Sequence, residues 1–302
     1  MTDEDILQDY ILITPVKNEE ESIFDCIQSI VRQTIRPSLW LFIDDGSTDN
    51  TPKIINETMN QYQWIKNIVL EKSDRNLGVH YSFVCRKGFD FIIEYCQKNG
   101  IKYDYVGLLD ADMILEENFF EYLLRKFEND SSLGIASGST WYIDGDQIRY
   151  AKQREDLPSG AGRLWRKKCF EETGGYQLTH AADSVSNIKA ILKGWSVRRF
   201  KDIKAIQTRK TSSAEGLWNG WRDLGRRAHY VGTGPTFALL KSIRYSFENP
   251  YYIGLAYFIG YLSSWMYRKE QINDEEVKNY YQTLIPQKHK NYYLNKIKNW
   301  FK

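Results

Sequence analysis

Tyr105-Val106-Gly107-Leu108-Leu109-Asp110-Ala111-Asp112 decides the fold of this chain: an uncharged, largely apolar run that ends directly on two carboxylates one residue apart. A strand of that composition is covered on both faces, as in the parallel sheets of α/β proteins, and its last residues emerge at the carboxyl edge where such folds bind ligands. Both aspartates leave the strand at one rim, close enough to share a divalent cation through oxygen ligands. Spacing alone does not single them out, because Asp3/Asp5 and Asp144/Asp146 repeat it. Context separates the three. Asp3/Asp5 belong to a charged amino-terminal stretch, and Asp144-Gly145-Asp146 reads as a hairpin turn between Trp141-Tyr142-Ile143 and Ile148-Arg149-Tyr150.

Working outward, short apolar runs alternate with helical patterns, the signature of βαβ units on a parallel sheet. Ile11-Leu12-Ile13 predicts a first strand that ends at Thr14-Pro15, and Glu20 to Gln33 a helix with Ile23, Cys26, Ile27, Ile30 and Val31 on one face. Leu39 to Ile43 predicts a second strand, running into Asp44-Asp45-Gly46-Ser47-Thr48-Asp49. Thr51-Pro52 then opens a helix, with proline where a missing N–H costs nothing. Asn67 to Leu70 reads as a third strand and Leu77 to Gln97 as a long helix. Beyond residue 130, Gly134 to Tyr150 reads as strands and a hairpin, and Ser159-Gly160-Ala161-Gly162 as a loop. Ser184 to Lys193 reads as a helix stopped by Gly194.

A length of 302 residues, 42% of them hydrophobic, supports a full core and excludes a disordered chain. The net charge of +2 hides a split: residues 1–130 carry 13 Lys and Arg against 24 Asp and Glu (−11), residues 131–302 carry 28 against 15 (+13). An acidic half with a strand-end carboxylate pair fits a metal site, and a basic half fits an anionic acceptor, lipid phosphates or a membrane surface; chance segregation on solvated faces is the bland alternative. Cys26, Cys85, Cys96 and Cys169 form no Cys-x-x-Cys pair and read as small core residues of a reducing compartment. The acidic amino terminus lacks the features of a signal peptide, so the expectation is a cytoplasmic protein.

Thr14-Pro15-Val16-Lys17-Asn18-Glu19-Glu20, Ile43-Asp44-Asp45-Gly46-Ser47-Thr48-Asp49, Arg75-Asn76-Leu77-Gly78, Asp110-Ala111-Asp112, and Gly174-Gly175-Tyr176 ahead of Asp183 and Gly194-Trp195 follow one another in an order that resembles the family 2 glycosyltransferases. The match runs over roughly residues 10–210. The resemblance implies an α/β GT-A (nucleotide-diphospho-sugar transferase) fold with a mainly parallel mixed sheet between helices. Residues 1–230 would form the catalytic domain, its nucleotide-binding half at about 1–130 and its acceptor-binding half at about 131–230, and residues 231–302 a helical extension. It also implies metal-assisted, inverting transfer from a nucleotide-sugar donor, most simply a UDP-sugar, to a glycan or polyprenyl-linked acceptor. Pro15, Lys17, Asn18, Glu19, Asp45, Arg75, Asn76, Gly78, Asp110 and Ala111 would hold the donor. Asp112, Asp110 and Gln207 would hold Mn²⁺ or Mg²⁺, and Asp183 would take the acceptor proton.

On the residues alone, Asp45 could equally serve an Asx turn or helix cap, and Asp183 a helix N-cap. Two departures from the family stand out: Ala182 where glutamate is common, and Gln207 where the metal-binding histidine is usual. A glutamine carbonyl is the weaker ligand, and Arg209 and Lys210 could neutralise a diphosphate instead. Trp141, Trp165 and Tyr176 are candidates for stacking on acceptor sugars or for the core, and Arg163, Arg166, Lys167 and Lys168 for greeting an anionic acceptor or for a solvated face.

Tyr251 to Tyr267 is a seventeen-residue run without charge, six of its residues Tyr or Trp, followed by Arg268-Lys269. It is better suited to a membrane interface than to a bilayer core. The tail from Gln287 to Lys302, with five lysines and no acid, reads as a basic aromatic anchor, giving peripheral contact with the inner face of the membrane. A helical pair packing on the catalytic domain is the alternative, and no nucleic acid is expected. Two rival functions remain: a metal-dependent nucleotidyltransferase, which would normally carry a glycine-rich basic first loop absent from Thr14 to Glu20, and a non-catalytic glycan-binding or scaffold protein on the same fold.

Overall fold

The structure, a computed structural model, describes residues 9–70, 79–144, 147–151, 157–158, 162–208 and 216–288. The chain divides into two compact units, Met1–Lys210 and Thr211–Lys302. The first carries one mixed sheet with helices on both faces. In chain order its elements are β1 (Tyr10–Val16), α1 (Ile23–Val31), β2 (Leu39–Asp44), α2 (Thr51–Gln61), β3 (Ile65–Val69), α3 (Val79–Asn99), β4 (Tyr105–Leu108), β5 (Met113–Leu115) and α4 (Phe119–Asn129). Then come β6 (Leu133–Asp144), β7 (Gln147–Tyr150), β8 (Arg163–Arg166), α5 (Lys167–Glu172), α6 (Ala182–Leu192) and β9 (Ser196–Gln207).

The strands run β3-β2-β1-β4-β8-β6-β9-β5, with β7 paired to β6. From β3 to β4 every pairing is parallel, so β1, β2 and β4 all end at one rim. Beyond β4 the sheet turns mixed: β8 is antiparallel to β4 and β6, and β5 antiparallel to β9. Side-chain alternation builds the two cores. Tyr10, Leu12, Trp40 and Phe42 cluster with residues of α1, α2 and α4, whereas Ile11, Ile13, Leu41 and Ile43 cluster with α3, α5 and α6. Both faces being filled explains why β1 and β2 read as unbroken apolar runs. All four cysteines are free and buried.

Helix α1 begins at Ile23 rather than at Glu20; the Glu20 carboxylate ties this turn to the start of α2, its Oε2 accepting from the backbone N (3.0 Å) and Nδ2 (2.8 Å) of Asn50. The hairpin read at residues 141–150 is the β6–β7 pairing, Trp141 opposite Tyr150.

The second unit is helical: α7 (Gly216–Tyr230), α8 (Pro235–Tyr245), α9 (Ile253–Met266) and α10 (Glu275–Asn279), the last continued by a π-helical turn at Tyr280–Leu284. Glycines set its helix crossings. A Cβ on Gly225 would overlap the Tyr257 carbonyl, and one on Gly260 the Arg222 carbonyl, so α7 and α9 touch backbone to backbone. Ala238, Tyr257 and Tyr261 form the small core, and Tyr261 donates its hydroxyl to the Thr233 carbonyl at 2.7 Å. No helix among the described residues is long and apolar enough to cross a membrane.

Candidate active site

The loops after β1 and β2 are stitched together at the carboxyl rim. Asn18, in the left-handed region at φ 54°, donates its N–H to Ser47 Oγ (3.0 Å), while its Oδ1 accepts from the Thr48 N–H (2.8 Å). The Glu19 N–H donates to Thr51 Oγ1 at 2.7 Å, and the buried Glu19 carboxylate accepts from Ser22 Oγ at 2.9 Å. Pro15 lies within β1, paired with Ile43. Asp45 is buried, with Lys17 Nζ 3.2 Å from its Oδ2 and His80 Nε2 2.9 Å from both oxygens. The Asx turn at this point is made by Asp44, whose Oδ1 accepts from the Ser47 N–H at 2.8 Å, and the cap position of α2 is Asn50. Asp45 therefore serves neither. Among the described residues its carboxylate accepts from Lys17 and His80.

Asp110 and Asp112 follow β4. Asp110 is half-buried and accepts a 2.6 Å hydrogen bond from Tyr81 Oη. Burial, and then the charge of Asp112, push its carboxyl up to about 7; the Tyr81 bond works against them and the charge of Asp183 with them. Ala111 between them is buried. The Asp112 carbonyl accepts from the Thr208 N–H (2.9 Å) and Oγ1 (3.1 Å), and its Oδ2 from Gln207 Nε2 at 3.0 Å. Register explains the meeting, since Met113 of β5 pairs with Gln207 of β9. Beneath them lies Cys26, whose thiol is pushed up first by burial and then by Asp112 and Asp110.

Asp183 sits in the first turn of α6, one residue past its start; the N-cap is Ala181, so Asp183 does not cap the helix. Its Oδ1 lies 3.2 Å from Nη1 of Arg163, a fully buried arginine on β8. The strand ends and the start of α6 thus bring Asp183 near enough to Asp110 for one charge to act on the other.

The Glycosyl transferase family 2 model matches residues 11–196, well over half of the chain. The chain belongs to glycosyltransferase family 2. It is 26% identical over 273 residues to poly-beta-1,6-N-acetyl-D-glucosamine synthase of Staphylococcus aureus (strain COL), covering 80% of this chain and 60% of that one. It is 29% identical over 248 residues to chondroitin synthase of Escherichia coli, covering 78% and 33%. The chain thus spans about 60% of the length of the first of these relatives. In fold it is similar to the mannosyltransferase PcManGT from Pyrobaculum calidifontis in complex with GDP-Man and Mn²⁺ (TM-score 0.55, 14% identity, 88% of this chain and 91% of that one). It is also similar to S. aureus TarS 1-349 in complex with UDP-GlcNAc (TM-score 0.52, 13% identity, 88% and 74%). The architecture is GT-A.

Within this family 2 glycosyltransferase the expected acceptor residues part company. Trp141, on β6, is half-exposed, its Nε1 donating to Ser139 Oγ at 2.9 Å, with the Tyr150 ring centre 5.3 Å and Lys204 Nζ 5.5 Å from its own. Trp165 and Tyr176 are 1% and 2% exposed and pack against Phe89 and each other. Rings so enclosed offer no face to a sugar, and the packing fits the core reading of both. The basic cluster departs from expectation in the same way. Arg163 is buried, and the Arg166 guanidinium donates to the carbonyls of Phe127 (2.7 Å) and Asp130 (3.2 Å) at the end of α4, where a helix leaves acceptors unpaired, and of Leu133 (3.1 Å) at the start of β6. Lys167 lies over the Tyr103 ring, and Lys168 is exposed. Arg75, Asn76, Gly78, Arg209 and Lys210 lie outside the described residues.

His80 and Tyr81 are site neighbours that the sequence reading passed over. The available signal was their position, at the start of the long helix directly after the Arg75–Gly78 motif. Among the described residues no group of three or more His, Cys, Asp or Glu gathers for a metal. The donor set nonetheless suits a hard cation: two carboxylates, one of them raised to about 7 by burial and then by the other's charge, and a glutamine amide whose half-turn would present Oε1.

Proposed function

We propose that this family 2 glycosyltransferase moves a sugar from a nucleoside diphosphate donor, a UDP-sugar in the first instance, to a glycan or lipid-linked acceptor with inversion. The observation that carries the reading is that Asp183 lies near enough for its charge to act on Asp110, beside Asp112, at the rim where β1, β2 and β4 end. Asp45 would accept the imide N–H of the base, with Lys17 and His80 holding its carboxylate in place. The Asp183 side chain is 39% exposed and its Oδ1, beside Arg163, makes no hydrogen bond to a described residue, so the carboxylate is available to take the acceptor hydroxyl proton. The deprotonated oxygen then attacks the anomeric carbon from the side opposite the diphosphate, and a single displacement inverts that centre. Asp110, Asp112 and Gln207 would hold Mn²⁺ or Mg²⁺, which when bound supplies positive charge against the departing diphosphate.

Solved relatives in complex with UDP, UDP-GlcNAc, and GDP-Man with Mn²⁺ support a nucleotide-sugar donor and a divalent ion. The names of the two synthases support a glycan acceptor. A peripheral membrane contact is part of the same reading. Helix α9 has 14 residues, about 21 Å, against a hydrocarbon core of about 30 Å, so it would lie in the interface. Leu255, Ile259 and Met266 form an exposed stripe on it, and Leu239, Leu240 and Ile243 another on α8. The tail at 289–302 lies outside the described residues.

Incubation with Mn²⁺ and a panel of UDP- and GDP-sugars tests the reading. Metal-dependent release of one nucleotide, slow without acceptor, is expected. Neither nucleotide release nor metal-dependent nucleotide binding across the panel would favour a non-catalytic role on this fold.

A further inference from the structure

We infer that Arg163 is a positioning residue for Asp183, locking the carboxylate to the strand pair that carries Asp110; this rests on the general-base reading above. Arg163 has no exposed surface. A buried guanidinium is costly unless its charge and its N–H groups are met, so its partners show what it is for. Nη2 donates to Asn187 Oδ1 at 2.6 Å and Nη1 to the Asp183 carbonyl at 3.4 Å, while Nη1 lies at ion-pair distance, 3.2 Å, from Asp183 Oδ1, which makes no hydrogen bond among the described residues. The flat of the group lies 4.3 Å from the centre of the Trp165 ring. Nε has no hydrogen-bond partner among the described residues, so the fork is committed to α6 alone.

Asp183 and Asn187 are four residues apart on α6, one turn on one face. One guanidinium therefore grips two rungs and fixes the rotation of the helix about its axis. The amide of Asn187 is fixed in turn, since its Nδ2 donates to the Pro158 carbonyl at 3.0 Å and leaves Oδ1 toward the arginine. Among the described residues no side chain caps the amino end of α6, whose cap residue is Ala181, so Arg163, through the Asp183 carbonyl and Asn187, ties the first turns of the helix to β8. On the sheet side, Arg163 pairs with Leu108 of β4, two residues before Asp110. The grip thus sets the distance between Asp183 and the Asp110–Asp112 pair through a register-locked strand pair, not through a loop. It also divides the carboxylate: Oδ1 faces the arginine and Oδ2 is left for chemistry. Displacement at the anomeric carbon needs that geometry, because a misplacement of about 1 Å can cost about a hundredfold in rate.

The test uses Arg163→Met, Arg163→Lys, Asn187→Ala, Asp183→Asn and the Arg163→Met/Asp183→Asn double variant. The probe is UDP-GlcNAc with Mn²⁺; UDP release and UDP binding are measured, and crystal structures of the wild type and Arg163→Met are compared. A positioning role predicts turnover down about 10- to 100-fold in Arg163→Met with UDP affinity and donor KM within about twofold. It predicts partial recovery in Arg163→Lys, a smaller loss in Asn187→Ala, no further loss when Arg163→Met is added to Asp183→Asn, and a displaced Asp183 carboxylate in the crystal. Full turnover in Arg163→Met, a matching fall in UDP affinity, losses that multiply in the double variant, or an unmoved carboxylate would each overturn it. Turnover surviving in Asp183→Asn would instead sink the general-base reading, and the Arg163→Met crystal structure would still decide what Arg163 positions. Should Arg163→Met not fold, Arg163→Lys and Asn187→Ala carry the same comparison.

Discussion

Replacing Asp110 by asparagine should remove a pH dependence from the stability of the metal-free protein. Burial and the neighbouring Asp112 raise the Asp110 carboxyl from 3.8 to about 7, against the pull of the Tyr81 hydroxyl 2.6 Å away. The native chain then keeps this proton through a range in which the unfolded chain has released it. Stability from this group is therefore full at low pH and lost as pH rises through about 7, the reverse of a salt-bridged carboxylate. About three units at about 1.4 kcal/mol each set a ceiling of about 4 kcal/mol, of which about 2.5 kcal/mol falls between about pH 5 and about pH 8. Urea unfolding in EDTA across that range should show Asp110→Asn gaining about 2–3 kcal/mol on the wild type as pH rises. Tyr81→Phe, which deletes a donor to the charged form, should move the wild-type transition to still higher pH. Parallel curves for wild type and Asp110→Asn would refute the account of why the pair needs a cation.

Gly225→Ala should destabilise the helical unit by about 1–3 kcal/mol, because the new methyl overlaps the Tyr257 carbonyl; an unchanged melting profile would contradict the backbone contact of α7 and α9. Trp165→Ala should cost about 3–5 kcal/mol as a core truncation, whereas a stacking platform would keep stability and lose acceptor affinity. Leu255→Ser with Ile259→Ser should cut binding to anionic vesicles by about tenfold or more in flotation, since each aliphatic side chain contributes about 1.5–3 kcal/mol when buried. Undiminished flotation would remove α9 from the membrane contact.

Strands β1, β2 and β4 were legible because each is an apolar run covered on both faces, a pattern that needs no tertiary knowledge; β3, a partly exposed edge strand carrying Lys66 and Asn67, starts at Ile65, two residues before the Asn67 read from sequence. Strand β8 was not legible: Arg163-Leu164-Trp165-Arg166 reads as a basic surface until Trp165 is placed in the core. Alternation then carries Arg163 inward with it, since residues two apart share a face. The role of Asp183 beside Arg163 depended on that same step. Asp45 was ambiguous between ligand contact and turn because the neighbouring Asp44 can make the turn, and only coordinates show that it does. The pairing of Asp112 with Gln207 spans 95 residues and follows from β5–β9 register, which a three-residue strand cannot announce. His80 and Tyr81 were hidden in a helix pattern, their partners lying in motifs on other strands.

The central claim is that Asp183 removes the acceptor proton at a site where Asp110 and Asp112 anchor the donor. Asp183→Asn tests it most directly, with nucleotide binding by calorimetry and sugar transfer or donor hydrolysis measured on one preparation in Mn²⁺. The account predicts nucleotide affinity within about twofold of wild type and turnover reduced by at least about a hundredfold. Turnover near the wild-type rate, or affinity and turnover falling together, would contradict it.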